Sequence, residues 1–275
     1  MTLDQQVAAH YARADLEAAV IDALQAAGKK LDRLTLDDLA PIDEFHVRGR
    51  EATLELGERL ALSSDLHVLD VGSGLGGPSR RLADAYGCRI TGIDLTEDFC
   101  RVATMLAGGV GLHDKVVYRQ GNALAMPFED ATFDAAYTQH VAMNIEDKAG
   151  LYREIARVLK PKAAFGIYDL LQGEGGEPIF PVPWARTPAT SFLVSAQQMR
   201  PLLADAGFEV VSWRDTTDQG RAWFLSMQQR LAGAERSPLG FQVLLGPDFD
   251  VMASNQVRNL VESRIAPTEV LCRKR

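Results

Sequence analysis

The first feature of the sequence that indicates a ligand-binding site is a cluster of glycines after an apolar run. The run 68–71 is typical of a buried parallel strand, the glycines lie within residues 72–77, and a helical pattern begins at Pro78. Glycine permits a tight turn and lets the backbone approach a ligand without a Cβ atom in the way, and the helix start offers N–H groups to an anion. The order strand, glycine turn, helix predicts a nucleotide or nucleoside site, with the binding candidates Gly72, Ser73 and Gly74.

Asp70 indicates which ligand this turn holds. Gly72, Gly74 and Gly77 also fit G-x-G-x-x-G, a dinucleotide pattern that is weak on its own. A carboxylate two residues before the first glycine would repel a pyrophosphate, whereas it suits a ligand with a positive charge or with N–H groups. S-adenosylmethionine carries a sulfonium and an ammonium. The alternative role of Asp70 is to accept hydrogen bonds from backbone N–H groups of the turn, and the two roles are compatible.

Asp94 is the second acidic candidate. It lies near the end of the predicted strand 89–95, at about the 20-residue distance from the glycines where an acidic side chain accepts the ribose hydroxyls of a nucleoside. Its alternative role is to cap the helix predicted at 96–107, a role that Thr96 could also fill. Leu95, beside it, is included among the cofactor-binding candidates.

Polar residues also follow the third and fourth predicted strands. Asn122 can form hydrogen bonds with an adenine edge, and Ala123 can provide an apolar wall; the alternative role of Asn122 is that of a turn residue. Gln139 is predicted to bind the cofactor, and His140 is the candidate to orient the acceptor or take its proton. The alternative role of His140 is packing against the cofactor or exposure in a loop.

Strand patterns alternate with helical patterns through most of the chain. This alternation predicts a parallel sheet with helices on both faces, and such sheets bind ligands at the carboxyl ends of their strands. The candidates above all fall at those ends, which supports one shared site. The predicted strands are 68–71, 89–95, 115–119, 133–138, 164–168, 208–213 and 269–272.

Composition excludes several classes of function. The chain has 275 residues, a formal net charge of −8 and 47% hydrophobic residues, so it can build a sizeable core but lacks the basic surface that nucleic-acid binding needs. Its three cysteines have no metal-ligand spacing, and no metal site is predicted. No secretory signal or membrane span is predicted, and the sparse cysteines favour a cytoplasmic location.

The remaining segments define the predicted domain organisation. Residues 1–60 are expected to form a helical cap, with a helix over about 3–28 and a capping box at Thr35. Residues 61–275 are expected to form the ligand-binding domain. Within it, residues 172–194 are predicted to be a substrate loop and residues 217–265 a helical insertion before the last strand.

Five motifs together make the sequence resemble the class I S-adenosylmethionine-dependent methyltransferases. The resemblance covers about residues 67–168. It implies a Rossmann-like, doubly wound seven-stranded sheet whose last strand is antiparallel, with S-adenosyl-L-methionine as cofactor and S-adenosyl-L-homocysteine as product. The motifs are Val68-Leu-Asp-Val-Gly-Ser-Gly-Leu-Gly76, Gly92-Ile-Asp94, Gly121-Asn-Ala-Leu-Ala-Met-Pro-Phe128, Phe133-Asp134 and Arg157-Val-Leu-Lys-Pro161.

Two shorter segments are similar to small-molecule methyltransferases of the sarcosine/dimethylglycine type. They are His46-Val-Arg-Gly-Arg-Glu-Ala-Thr53 and Gln139-His140. This similarity favours a small amine as methyl acceptor. The chain departs from the family pattern at Arg48, where glycine is frequent, and at Lys162-Ala163, where Gly-Gly is usual.

The predicted substrate residues are drawn from the cap and the substrate loop. Each of these side chains has packing as its alternative role, and an aromatic wall would suit a cationic or apolar acceptor. The alternative functions are O- or C-methylation of a lipophilic or quinol-like metabolite, dinucleotide-dependent oxidoreduction, and non-catalytic binding on the same fold. The substrate candidates are Tyr11, His46, Arg48, Phe180 and Trp184.

Overall fold

A seven-stranded sheet forms the centre of the molecule. The computed structural model describes residues 2–11, 15–231 and 237–275. The strand order is β3-β2-β1-β4-β5-β7-β6; β1 to β5 are parallel, and β7 is antiparallel to both β5 and β6. This confirms the predicted fold class. The strands are β1 His67–Val71, β2 Arg89–Asp94, β3 Val116–Gln120, β4 Phe133–Gln139, β5 Leu159–Gln172, β6 Phe208–Asp215 and β7 Ile265–Lys274.

Helices precede the sheet, connect its strands and fill the segment before β7. The helix predicted over about 3–28 corresponds to α1 and α2, and residues 12–14 between them lie outside the described residues. No helix in the described part of the chain is both long and apolar enough to cross a membrane. The helices are α1 Leu3–Tyr11, α2 Leu16–Ala26, α3 Leu36–Asp43, α4 Gly49–Arg59, α5 Gly77–Tyr86, α6 Glu97–Gly109, α7 Lys148–Val158, α8 Ala196–Asp205, α9 Thr217–Leu231, α10 Gln242–Leu245 and α11 Phe249–Val261.

The two faces of the sheet bury alternate residues of each strand. In β1, Leu69 packs into the core under α7 and α8, whereas Val68 packs into the core under α4, α5 and α6. Both side chains are fully buried. A strand that is covered on both faces has apolar residues at successive positions and not only at alternate ones, which explains the continuous apolar runs.

The fifth and last strands are longer than predicted. The sequence predicts 164–168 and 269–272, whereas β5 runs over Leu159–Gln172 and β7 over Ile265–Lys274. Their antiparallel register runs from Ala164 opposite Arg273 to Gln172 opposite Ile265. Residues 169–172 of β5 and 265–268 of β7 are strand because they pair with each other, about 100 residues apart along the chain, and Leu159 pairs with Phe133 of β4. The local sequence pattern does not reveal such distant partners.

The segment before α4 is fastened to the glycine turn. At the start of α3, Thr35 and Asp38 form the predicted capping box. At its end, Asp43 makes a buried ion pair with Arg80 of α5 at 2.5 Å, and Arg80 Nη1 also donates to the carbonyl of Leu75 at 2.6 Å. A Cβ atom at Gly77 would collide with the Asp43 backbone, so α3 and α5 pack in close contact.

Candidate functional site

A cavity of about 310 Å³ opens at the carboxyl ends of β1, β2 and β4. This volume lies at the lower limit of the range typical of small-molecule sites. The sequence-predicted residues that the structure brings together around it are Tyr11, His46, Gly72, Ser73, Gly74, Asp94, Leu95, Asn122, Ala123, Gln139 and His140.

One end of the cavity, which we call the glycine end, consists of residues 72–74 with Asp94 and Asn122. Gly72 and Gly74 have φ values of +77° and +52°, a region that side chains rarely adopt. The N–H groups of Gly72 and Ser73 donate to the carbonyl of Ile93 at 2.8 and 3.0 Å. The turn is therefore fixed to β2, in register with Asp94.

The carboxylate of Asp94 lies beneath the turn. Its Oδ2 accepts from the N–H of Gly74 at 2.8 Å, and its Oδ1 accepts from the N–H of Thr96 at 2.9 Å. Burial raises the pKa of Asp94, while these two hydrogen bonds act to lower it. Each carboxylate oxygen keeps a second lone pair, so Asp94 can support the turn and α6 and still accept ribose hydroxyls.

The glycine end fits an adenosyl ligand. A Cβ atom added at Gly74 would meet nothing within 4 Å, so the glycine leaves open space on the cavity wall. The side-chain oxygen of Asn122 accepts from the N–H of Leu124 at 2.8 Å, which fixes the loop that follows β3. Close backbone, a carboxylate and an oriented amide are groups that can bind a nucleoside.

Asp70 lies below the cavity and not on its wall. It is 2% exposed, and its Oδ2 accepts from the hydroxyl of Ser79 at 2.6 Å. Burial raises the pKa of Asp70 to about 7. In the described structure its partners are thus the side chains of Ser79 at the start of α5 and Tyr137 of β4, not the backbone N–H groups expected for a turn carboxylate.

The opposite end, which we call the histidine end, consists of His46, Gln139 and His140. His140 has φ +54°, an uncommon value for a non-glycine residue. Its N–H donates to the carbonyl of Tyr168 at 2.8 Å. Asp169 accepts from the N–H of Ala142 at 2.8 Å, and Lys148 Nζ donates to the Ala142 carbonyl at 2.7 Å. These contacts hold the chain in the strained conformation that directs His140 to the cavity.

The imidazole of His140 is buried without a hydrogen-bond partner at Nε2. It is 9% exposed, stacks on Tyr168 with ring centroids 5.2 Å apart, and meets the edge of His46 at 5.8 Å. Burial lowers the pKa of His140 well below its ordinary value, and the charge of His46 lowers it further. His140 lines the cavity, and its neutral imidazole has a ring nitrogen without a hydrogen-bond partner, which can accept a proton.

A buried polar group lies behind the histidine end. Glu44 Oε2 lies 3.1 Å from Nε2 of His46 and accepts from the hydroxyl of Thr53 at 2.7 Å. The amide of Gln139 lies 3.4 Å from both His46 Nε2 and Thr53 Oγ1. These contacts fix the orientation of the His46 ring against the cavity.

The walls between the two ends are mostly apolar. Tyr11 of α1 also lies here, and its hydroxyl donates to Oδ1 of Asn144 at 2.9 Å. No lysine or arginine occurs among the described residues of the lining. The apolar lining residues include Leu3, Val7, Phe45, Phe99, Leu124, Val141, Ile145 and Leu244.

Three predicted substrate residues do not line the cavity. Arg48 is 5% exposed and pairs with Glu55 at 2.6 Å, so its charge is satisfied elsewhere. Phe180 and Trp184 pack with Val47 in a separate apolar cluster. Both aromatic side chains therefore have the alternative role, packing. The loop that carries them folds over α9 and α11 and not into the cavity.

Sequence reasoning missed Glu44, Phe45, Thr53 and Asp169. Thr53 is the last residue of the segment His46–Thr53, which resembles small-molecule methyltransferases. That resemblance could have indicated Thr53 as a site residue. Glu44 is two residues before His46, but nothing in the local pattern indicates that its carboxylate turns back to the ring. Asp169 follows the predicted end of the fifth strand, and no local feature marks it as a support for the turn at residue 140.

Comparisons with known proteins show which sequences and folds this chain is similar to. Residues 69–167 match a family model described as a methyltransferase domain. The O-methyltransferase resE of Aspergillus sclerotiorum is 31% identical over 186 residues, 67% of this chain and 70% of that protein. The sterol 24-C-methyltransferase ERG6B of Gibberella zeae is 38% identical over 116 residues, 42% of this chain but only 30% of that protein. The crystal structure of the [4+2]-cyclase SpnF has a TM-score of 0.71 at 25% identity and covers 98% of this chain and 96% of its own.

Proposed function

The chain belongs to the class I S-adenosylmethionine-dependent methyltransferases, and we propose that it methylates a hydroxyl group of a neutral, largely apolar small molecule. His140 carries this proposal. It is a buried, neutral imidazole whose free Nε2 belongs to a residue on the cavity wall. A hydroxyl acceptor needs such a base because it must lose its proton as it reacts.

The glycine end is proposed to hold the cofactor. Gly72, Ser73 and Gly74 would contact its adenosyl and amino-acid parts through the backbone, Asp94 would accept the ribose hydroxyls, and Asn122 would bind the base. When bound, S-adenosylmethionine supplies a methyl group activated by its bond to a positively charged sulfur. The protein then has to align the acceptor with that methyl group and exclude water, and alignment alone can contribute roughly 7–11 kcal/mol.

The histidine end is proposed to hold the acceptor. Nε2 of His140 would take the proton of the acceptor hydroxyl. The bound cofactor would supply the methyl group that the oxygen receives, and its bond from sulfur to that methyl group would break to leave S-adenosyl-L-homocysteine. Tyr11 and the apolar walls would surround the rest of the acceptor and keep water from the reacting atoms.

The charged residues of the cavity argue against a zwitterionic amine as acceptor, because carboxylates, among them Glu146 and Asp147, line it without a lysine or arginine among the described lining residues. An amine of the sarcosine/dimethylglycine kind, which the sequence resemblance favours, carries a carboxylate that needs a cation or an equivalent set of donors. Neither lysine nor arginine lines the described cavity, Arg48 pairs with Glu55, and Arg186 pairs with Asp248 at the surface. The similarity to an O-methyltransferase points to the same acceptor class.

A methyl-transfer screen tests the acceptor class. The purified protein is incubated with S-adenosylmethionine labelled in its methyl group and with sets of neutral phenols and alcohols, sterols, quinols, and small amines including sarcosine and dimethylglycine. We expect label in the ether products of neutral hydroxyl compounds. Transfer to amines alone would overturn the proposal in favour of N-methylation, and transfer to carbon alone would indicate a C-methyltransferase.

The His140→Gln variant tests the proposed base. We expect kcat to fall roughly 10²- to 10⁴-fold, the usual contribution of a general base, while calorimetry shows cofactor affinity within about threefold of wild type. His113→Gln is the matched control, because His113 has a side chain 66% exposed on the surface. Wild-type turnover in His140→Gln would remove the residue from the mechanism.

A further inference from the structure

His46 has hydrogen-bond acceptors at both of its ring nitrogens. Nε2 lies 3.1 Å from Glu44 Oε2, and Nδ1 lies 3.3 Å from the carbonyl oxygen of Val47. A carboxylate and a carbonyl can only accept, so a ring that satisfies both must carry a proton on each nitrogen. That form of the side chain is the imidazolium.

The other neighbours of Nε2 are compatible with this form. The hydroxyl proton of Thr53 is donated to Glu44 at 2.7 Å, which leaves the Thr53 oxygen free to accept from His46 at 3.1 Å. The amide nitrogen of Gln139 can donate to that same oxygen at 3.4 Å. No neighbour among the described residues therefore requires a lone pair on the ring of His46.

Glu44 supplies the charge that stabilises this imidazolium. Its side chain is 7% exposed and that of His46 is 3% exposed, so water screens the pair weakly. Burial acts to raise the pKa of Glu44, but hydrogen bonds from His46 and Thr53 outweigh it and hold the pKa below its ordinary value. The carboxylate of Glu44 therefore stays ionised at neutral pH and can accept a hydrogen bond from Nε2 of His46.

The ring of His46 meets the ring of His140 edge to face, with centroids 5.8 Å apart. At this distance in a buried site, a second positive charge on His140 would be strongly opposed. The other ionisable groups near the two rings include Tyr168, which stacks on His140, Asp169 beside it on β5 and Asp70 on β1. Asp43 and Arg81 interact electrostatically with Glu44, and Arg48 is paired with Glu55.

We propose that Glu44 holds His46 as an imidazolium, and that this fixed charge keeps His140 free of a proton and able to accept one. His46 and Glu44 are thus positioning residues that act on the acceptor site through His140. The inference rests on the proposed function of His140 as base, but its electrostatic part concerns the protein alone and can be tested without cofactor or acceptor.

Nuclear magnetic resonance of the full-length protein labelled at histidine Cε1 tests it. The chain has five histidines, so each signal can be assigned from a single His→Gln variant. In wild type, from about pH 5 to about pH 8, we expect the His46 signal to stay that of a charged ring and the His140 signal that of a neutral ring. A neutral His46 ring at neutral pH would overturn the inference.

Two variants test the dependence of one ring on the other. In His46→Gln the titration midpoint of His140 should move to higher pH, because the neighbouring charge is gone. In Glu44→Gln, His46 should lose a proton between about pH 5 and about pH 8. This second variant tests the inference if His46→Gln does not fold. His67→Gln is the matched control, since His67 lies at the start of β1 outside the cavity lining, with its Nε2 2.9 Å from Oγ1 of Thr91 on β2. The inference would be overturned if the His140 midpoint stayed unchanged in His46→Gln and the His46 signal stayed that of a charged ring in Glu44→Gln.

Kinetics separate this inference from the proposed function. The acidic limb of kcat against pH should move to higher pH in His46→Gln, in parallel with the His140 midpoint. If His140→Gln is fully active while the midpoints move as expected, the proposed base is wrong and the electrostatic relation stands. If His140→Gln is inactive while the midpoints stay fixed, the base stands and the inference fails.

Discussion

The two ends of the cavity are built in different ways. The glycine end is made largely of backbone, from a turn of three residues and one carboxylate in the next strand. The histidine end is made of side chains from the segment before α4 and from the turn after β4, about 90 residues apart along the chain. A backbone site depends on local sequence, whereas a side-chain site depends on how distant segments pack.

This difference explains how one fold serves many acceptors. The glycine end is proposed to bind the part of the ligands that stays the same, which agrees with its residues forming a recognisable motif. The histidine end can change by substitution in segments that pack against it without disturbing the sheet. A cyclase and methyltransferases can accordingly share this fold.

Removing the ion pair that joins the two ends should have the largest effect. Arg80 is fully buried, holds the carbonyl of Leu75 in the glycine turn, and pairs with Asp43 near the histidine end. Arg80→Met leaves a buried carboxylate without its partner, and we expect unfolding free energy to fall by about 3–5 kcal/mol in urea denaturation.

The double variant Asp43→Asn, Arg80→Met is its control. With no carboxylate left unpaired, this protein should be more stable than Arg80→Met alone. If the single variant lost less than about 1 kcal/mol, the magnitude of an exposed pair, the two ends would be independent of this ion pair.

A methyl group at the first glycine should have the next largest effect. Gly72 has φ +77°, and a Cβ atom there would collide with Val141, the neighbour of His140. We expect Gly72→Ala to lose about 2–5 kcal/mol of stability, from the left-handed conformation and from forced repacking, and to weaken cofactor binding in calorimetry.

Gly28→Ala is the matched control for the backbone conformation. Gly28 has φ +72°, and a Cβ atom added there would meet nothing within 4 Å, so only the cost of about 1–2 kcal/mol for a left-handed residue applies. Equal losses in the two variants would mean that contact between the glycine turn and Val141 contributes nothing.

Replacing the carboxylate of Asp94 by an amide should have the smallest effect on stability of the three changes, since one of its two backbone hydrogen bonds remains, and it should also weaken cofactor binding. Asp94→Asn keeps the size of the side chain but loses charge-assisted hydrogen bonds worth about 1.5–3 kcal/mol. The dissociation constant of S-adenosylmethionine should rise roughly 10- to 100-fold, as measured by calorimetry. The control Asp98→Asn, on α6 and paired with Arg101 at the surface, should bind normally; unchanged affinity in Asp94→Asn would exclude its role at the ribose.

The glycine end could be predicted more completely than the histidine end. Gly72 and Asp94 follow consecutive parallel strands, and the topology of such strands places their carboxyl ends together. His46 and His140 could also be predicted, yet Glu44 and the protonation of the pair could not, because they depend on ring orientation. Arg48, Phe180 and Trp184 have the residue types of a substrate site, but packing partners elsewhere hold them away from the cavity.

The sheet, the glycine turn and the acidic residue of the second strand follow from the amino-acid sequence alone, since apolar periodicity and glycine conformational freedom are local properties. Only the tertiary structure determines three other features. They are the full length of β5, the ion pair of Arg80 with Asp43 and the contact of His46 with His140. They depend on which buried groups find partners far along the chain. The free energy of burying a charge or a polar atom is set by those partners and not by sequence neighbours.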